Sequence, residues 1–218
     1  MLSFTEENHL KAIFHLSSVE NQDVSTNAIA DSLKTKAPSV TDMLQKLSEK
    51  ELVTYKKYQG SFLTADGRKT ALNIIRKHRL WEVFLVEKLG FNWSEVHEIA
   101  EQLEHIKSKK LIDELDRFLD YPTKDPHGDP IPNPAGFIKY THRTLLSELV
   151  IGDKGQFIGV KDSSSAFLKF LDKRKIALGT NIEILHIEDF DNSIHIGLDE
   201  TNLTISIKSA NNIYVTKI

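Results

Sequence analysis

Three histidines and three glutamates recur at helical spacing between residues 78 and 105 of this sequence, a pattern suited to binding a cation. His97, Glu101, Glu104 and His105 fall in one predicted helix over residues 94–107, whose core face is Val96, Ile99, Ala100, Leu103 and Ile106. At about 100° per residue the four polar side chains occupy a wedge of roughly 100° beside that face. Residues three and four apart are neighbours on a helix surface, so Glu101, Glu104 and His105 converge, with His97 a turn away. The preceding long helix offers His78 and Glu82 at i, i+4, and a short connection lets the two stripes meet. Imidazole and carboxylate groups from facing helices are how bundles hold divalent ions. A single His/Glu pair is more often a solvated helix face; two such stripes on consecutive helices bring the two readings level. A second group, Asp125-Pro126-His127-Gly128-Asp129, reads either as a polar turn or, since residues two apart in an extended segment point the same way, as a second pair of ligands in Asp125 and His127.

Composition narrows the chemistry. The 218 residues contain no cysteine, which excludes disulfides, thiolate zinc sites and thiol catalysis. Nine histidines and 31 acidic residues supply nitrogen and oxygen donors instead. Net charge is −3, and residues 1–75 hold nine Lys/Arg against nine Asp/Glu. Any affinity for nucleic acid must therefore come from local placement of charge. The N-terminus lacks the basic and apolar regions of a secretion signal, and no apolar run approaches the roughly 18 residues of a membrane span. No membrane association and a cytoplasmic location are the expectation.

The elements that must position these groups follow from caps and periodicity. Ser3-Phe4-Thr5-Glu6 reads as a capping box opening a first helix. Ser25 caps a second helix running through Leu33, and Pro38 opens a third with Val40, Met43, Leu44 and Leu47 as its apolar stripe. Two short helices joined by a tight turn form a helix-turn-helix candidate. Residues 52–58 and 61–64, flanking Gly60, read as a hairpin, which in that position is a wing. A long helix spans about 65–89; Ser94 and Ser108 cap two more, and Pro122 ends the run. Residues 121–136 hold five of the six prolines and read as a stiff connection. Short β-type runs then surround one helix near 164–173, a spacing that suggests a small β-barrel.

These segments resemble the diphtheria-toxin-repressor family of iron- and manganese-dependent transcriptional repressors along essentially the whole chain. The resemblance is carried by Glu7-Asn8-His9-Leu10-Lys11-Ala12-Ile13, Ala37-Pro38-Ser39-Val40-Thr41, Leu63-Thr64-Ala65-Asp66-Gly67, Lys77-His78-Arg79-Leu80-Trp81-Glu82, the run 97–105 and the turn 125–132. It implies a mainly α chain with a small β domain: a winged helix-turn-helix over 1–72, a helical dimerisation and metal-binding domain over 73–140, and an SH3-like β domain over 141–218. It also implies a regulatory metal site of Asn8, Glu101, Glu104 and His105, with His78 completing that ion or an adjacent one. A second site draws on Glu82 with His97 in one branch of the family, or with Asp125, His127 and Asp162 in another. Glu101 stands where iron-type members have cysteine. A carboxylate is a harder ligand, so Mn²⁺ is favoured over Fe²⁺ as the activating ion. Lys11 stands where some manganese-type members are acidic, which counts against a two-manganese cluster of their kind.

The function implied is not enzymatic. A homodimer would read a palindromic operator in double-stranded DNA, the helix from Pro38 lying in a major groove with Ser39, Thr41 and Asp42 toward the bases. Lys34, Lys36, Lys56 and Lys57 are expected at phosphates. Mn²⁺ or Fe²⁺ would act as co-repressor in control of metal uptake; without it, Glu101 and Glu104 are expected to repel and the first helix to be loosely held. Two alternatives stay open at this stage. One is a winged-helix regulator that does not depend on metal. The other is a metal-dependent hydrolase, disfavoured because no nucleophile or phosphate-binding loop accompanies the acids.

Overall fold

A computed structural model of the chain describes residues 2–17, 22–56, 59–139, 142–199 and 201–218. It divides into two compact units. The first comprises Met1–Trp81, Ala100–Phe118 and Ile131–Ile138; the second comprises Glu82–Ile99, Leu119–Pro130 and Lys139–Ile218.

In the first unit, α1 (Phe4–Leu16) opens on a complete capping box in which the Ser3 hydroxyl accepts from the Glu6 N–H and the Glu6 carboxylate accepts from the Ser3 N–H. Helix α2 (Thr26–Ser32) is capped by Ser25. Helix α3 (Ala37–Glu49) begins one residue earlier than the proline suggests, with Lys36 at its N-cap and Pro38 inside its first turn. Its stripe buries Val40, Leu44 and Leu47 against Leu10, Ile13 and Ile29. Strands β1 (Val53–Lys56) and β2 (Gly60–Leu63) pair antiparallel, and Val24 adds a bridge to Ser61. The wing follows α3 as the sequence implies; Lys57 and Tyr58 lie outside the described residues. Helix α4 (Ala65–Leu89) leaves the wing and supplies residues to both units. Arg76 on α4 is buried between Asp116 of α6 (Lys109–Phe118), 2.6 Å away, and the Pro132 carbonyl at 2.9 Å.

The helix expected over 94–107 is shorter in the structure: α5 is Val96–Leu103. Asn92, not Ser94, organises its start, since the Asn92 side chain accepts from the Ser94 N–H and its carbonyl accepts from the Glu95 N–H. At the other end Glu104 and His105 form a turn. The Ile106 N–H bonds back to the Leu103 carbonyl, and Ser108 starts α6 almost at once.

The second unit is built on a six-stranded antiparallel sheet in the order β3-β8-β4-β5-β6-β7: Thr144–Leu145, Ile213–Lys217, Lys154–Val160, Asn181–Ile187, Ile194–Gly197 and Asn202–Ile205. Bulges interrupt the register between Phe157 and Gly159 and between Ile184 and His186, and each bends its strand. The enclosed core is Phe157, Ile182, Ile184, Ile196 and Val215 with Leu168 and Leu171 of α7 (Ser165–Lys173). A short helix, α8 (Ile207–Ala210), precedes β8. Among the described residues, no helix is long and apolar enough to cross a membrane.

Candidate metal centres and nucleic-acid interface

The acidic and imidazole side chains separate by compact unit: Asn8, His78, Glu101, Glu104 and His105 lie in the first, and Glu82, His97, Asp125, His127 and Asp162 in the second.

Glu104 is the centre of the first group and is wholly buried. One carboxylate oxygen meets His78 Nδ1 at 2.6 Å; the other accepts from Lys11 Nζ at 2.7 Å and lies 3.8 Å from His105 Nε2. Burial alone would raise the Glu104 pKa, but the contacts to His78 and Lys11 outweigh it and hold the acid below the usual carboxylate range. Lys11 also reaches Glu101, at 2.9 Å, whose side chain is half exposed. The expected repulsion between Glu101 and Glu104 is thus compensated within the chain: an ammonium on α1 bridges both carboxylates. Nor is α1 loosely held, because Glu7 accepts from His105 Nδ1 at 2.6 Å between two buried side chains. Phe4 stacks on the same imidazole at 4.4 Å. Glu7 is absent from the expected ligand set. Lys77, also unforeseen, is driven toward its neutral form by burial, while Glu7 and Glu104 oppose that shift.

A group of this kind can hold a divalent ion if its donors are unspent and of the right class. The buried Asn8 Oδ1 has no hydrogen-bond partner among the described residues. An orphaned acceptor in a buried position costs free energy unless something satisfies it. The Glu104 carboxylate and the imidazoles of His78 and His105 are of the oxygen and nitrogen class that suits a Mn²⁺- or Fe²⁺-class ion, although among the described residues their ligand atoms do not all come within 4.8 Å of one another.

In the second unit, Glu82, Asp125 and His127 are all buried, and a ligand atom of each lies within 4.8 Å of the others. Glu82 has His127 Nδ1 at 3.5 Å from one oxygen and the half-exposed His97 at 3.6 Å from the other. The other nitrogen of His127 donates to the Trp93 carbonyl at 2.8 Å, which fixes the ring. Burial would lower the His127 pKa, but Glu82 and Asp125 overcome it and raise it to about 9. Asp125 accepts from the N–H groups of His127 and Asp129, both at 2.9 Å. The turn is seated on the sheet: the Val160 N–H donates to the His127 carbonyl, and Gly128 has φ +86° with its missing Cβ position 2.0 Å from the Ile158 oxygen. Arg143 donates to Asp129 at 2.8 Å and to the Gly128 carbonyl at 2.9 Å while lying over the Tyr214 ring. Asp162 stands apart from this group of three and accepts from the Ser164 N–H ahead of α7. The buried cluster of two acids and an imidazole likewise fits a hard-to-borderline divalent ion.

The start of α3 carries the residues expected to face DNA. Pro38, Ser39 and Asp42 are exposed on its first two turns, Lys34 and Lys36 are exposed just ahead of it, and Lys56 is exposed at the end of β1. Thr41 is half-buried, and its hydroxyl donates to the Ala37 carbonyl. The N-terminus of α3 has no side-chain cap, so its first N–H groups stay available to an anion such as a phosphate. Lys57 lies outside the described residues.

Three family models match the chain in order. A family model of the iron-dependent repressor N-terminal DNA-binding domain matches residues 1–61, and one of the iron-dependent repressor metal-binding and dimerisation domain matches 64–133. A FeoA domain model matches 144–217. The chain is 34% identical over 128 residues to the iron-dependent repressor IdeR of Mycobacterium leprae, covering 59% of this chain and about half of that protein (55%). It is 33% identical over 116 residues to the transcriptional regulator MntR of Oceanobacillus iheyensis, covering 53% of this chain and 77% of that one. A solved structure described as a manganese-dependent transcriptional repressor in complex with manganese superposes with a TM-score of 0.88 at 31% identity, over 98% of this chain and all of the other. With helix-turn-helix, helical segment and C-terminal sheet each matched in order, the chain belongs to the iron-dependent repressor family.

Proposed function

We propose that this chain is a metal-responsive transcriptional repressor, in which Mn²⁺, or alternatively Fe²⁺, is the co-repressor for a homodimer on a palindromic operator. The observation that carries the reading is the buried Glu104, held by His78 on one side and by the α1 residue Lys11 on the other. Helix α1 packs in the same core as α2 and α3, so whatever acts on Glu104 acts on the body that carries the DNA-reading helix. Asn8, His78, Glu101, Glu104 and His105 would hold one ion; Glu82, Asp125 and His127 would hold another, with His97 and Asp162 at its margin. Bound there, a divalent ion supplies positive charge to the buried acids and ties α1 to the residues that follow α5. The chain's own part is to keep Glu104 ionised, orient the imidazoles through Glu7 and the Trp93 carbonyl, and present the uncapped start of α3 to phosphates. Exposed Leu111 and Phe118 on α6 give an apolar surface suited to a second copy. On this reading the working segments are 1–72 for DNA, 73–140 for metal and dimer contacts, and 141–218 for the β domain.

The test is fluorescence anisotropy on a duplex selected from random-sequence DNA by the Mn²⁺-loaded protein. Coupling of about 5- to 150-fold between the Mn²⁺ and chelator conditions is expected, the usual range for allosteric linkage. Glu104→Ala should abolish that difference with the fold intact. Equal affinity with Mn²⁺ and with chelator removes the co-repressor role and leaves a metal-independent winged-helix regulator.

A further inference from the structure

The outer face of β5, β6 and β7 carries two histidines that neither acidic cluster uses. His186 on β5 and His195 on β6 are direct cross-strand partners, both exposed, with ring centroids 5.7 Å apart. Simple alternation would not produce this pair. Ile182 and Ile184 point into the core, so an unbroken strand would turn His186 inward as well. Instead the register slips between Ile184 and His186, leaving Leu185 as the extra residue of a bulge. The slip puts Leu185 and His186 both on the solvent face and returns Ile187 to the core side opposite Ile194. A bulge that re-aims one side chain toward another of the same type is a specific arrangement. On the far flank Thr204 of β7 pairs with His195, its hydroxyl 3.1 Å from Nδ1. That contact occupies Nδ1, fixes the ring and leaves Nε2 as the coordinating nitrogen. Glu188 brings a carboxylate oxygen to 3.9 Å from His186 Nε2. Both imidazoles line a cleft of about 330 Å³ with Leu185, Asn202, Leu203 and Thr204.

The geometry points to a separate cation site on this sheet face, in which His186 and His195 hold a borderline transition ion such as Zn²⁺, with water completing the shell. Two imidazoles on one tetrahedral ion, with Zn–N bonds of about 2.0 Å, place their ring centres roughly 5 Å apart. The observed 5.7 Å needs only a small rotation of exposed side chains to reach it. The donor class also differs from that of the acid-rich clusters: imidazole-dominated ligation selects zinc, nickel or copper over manganese. The site would make the sheet responsive to an ion that the carboxylate clusters are not tuned for.

The experiment is carbethoxylation of the full chain by diethylpyrocarbonate, read per residue by mass spectrometry. The protein is first saturated with Mn²⁺, then compared with and without added Zn²⁺, with exposed His142 as internal control. Zn²⁺ should lower modification of His186 and His195 together on the order of tenfold while His142 is unchanged. His186→Gln, a surface change, should abolish protection at His195. Thr204→Val, which keeps both imidazoles, should shift the protecting Zn²⁺ concentration upward by about 10- to 100-fold, as loss of an orienting hydrogen bond does. Equal modification with and without Zn²⁺, or protection of His195 that persists in His186→Gln, would overturn the assignment.

Discussion

Replacing Lys11 by Met keeps the aliphatic stem and removes the ammonium that bridges Glu104 at 2.7 Å and Glu101 at 2.9 Å. Removing one partner of a buried ion pair costs about 3–5 kcal/mol, because the other charge stays buried and unpaired. Glu104 is fully buried but keeps His78 at 2.6 Å, so the lower end, about 3 kcal/mol, is the appropriate figure. The contact to half-exposed Glu101 adds little. For a chain of this size each kcal/mol moves Tm by about 2–4 °C, giving a fall of about 6–12 °C in chelator. Metal should reverse the deficit. A cation bound at Glu104 in the parent protein competes with the ammonium for the same carboxylate; in Lys11→Met it meets no competitor. The variant should therefore show the larger Mn²⁺-induced rise, and the two melting curves should converge at saturating Mn²⁺. Scanning fluorimetry across a Mn²⁺ series in chelated buffer makes the measurement. An unchanged Tm in chelator, or a deficit that persists undiminished at saturating Mn²⁺, refutes the competition.

Other expectations follow from the same geometry. Gly128→Ala forces a side chain into the Ile158 carbonyl at positive φ; titration calorimetry should show metal affinity at Glu82, Asp125 and His127 falling by about tenfold or more, with binding at Glu104 retained. In EDTA-treated protein His127 has its pKa raised from 6.5 to about 9 against the pull of burial. Its stabilising contribution is therefore complete below pH 6.5 and lost as pH rises through 9, so the urea midpoint should decline over that window. Glu82→Gln should flatten the profile, and a parent profile that is already flat contradicts the ion pair. Lys34→Ala and Lys36→Ala should each lower the slope of log K against log salt for DNA binding by about 0.9 if the residue meets one phosphate. An unchanged slope places that lysine off the DNA.

What the sequence reveals and what it hides divide by range. The Ser3–Glu6 capping box, the Val40–Leu44–Leu47 stripe and the wing are written in spacings of a few residues, and all are found in the structure. The convergence of Glu104 and His105 follows from helical spacing too, although α5 ends before them. Glu7 with His105, and Lys11 with Glu104, are pairings across more than ninety positions, and no periodicity reports those. The family resemblance marks Lys11 as a cation where some manganese-type members are acidic, but its two carboxylate partners emerge only once α1 is placed. The start of α5 is obscured for a different reason: Asn92 and Ser94 are both good caps, and only the backbone decides between them. The two-residue strand β3 and the bulge at Leu185 leave no trace in a pattern of alternation.

The seating of the 125–130 turn on β4 has a bearing on how the chain can be dissected. Asp125 and His127 come before the sheet in sequence, yet their backbone is anchored by Val160 and packs at Gly128 against Ile158, while Arg143 clamps its far side. A fragment cut after the helical segment would retain every one of these acids and imidazoles and lose the mould that shapes them. The C-terminal sheet is in this sense masonry for a ligand loop it does not encode, and shortening the protein to its first two segments would cost more than an accessory module.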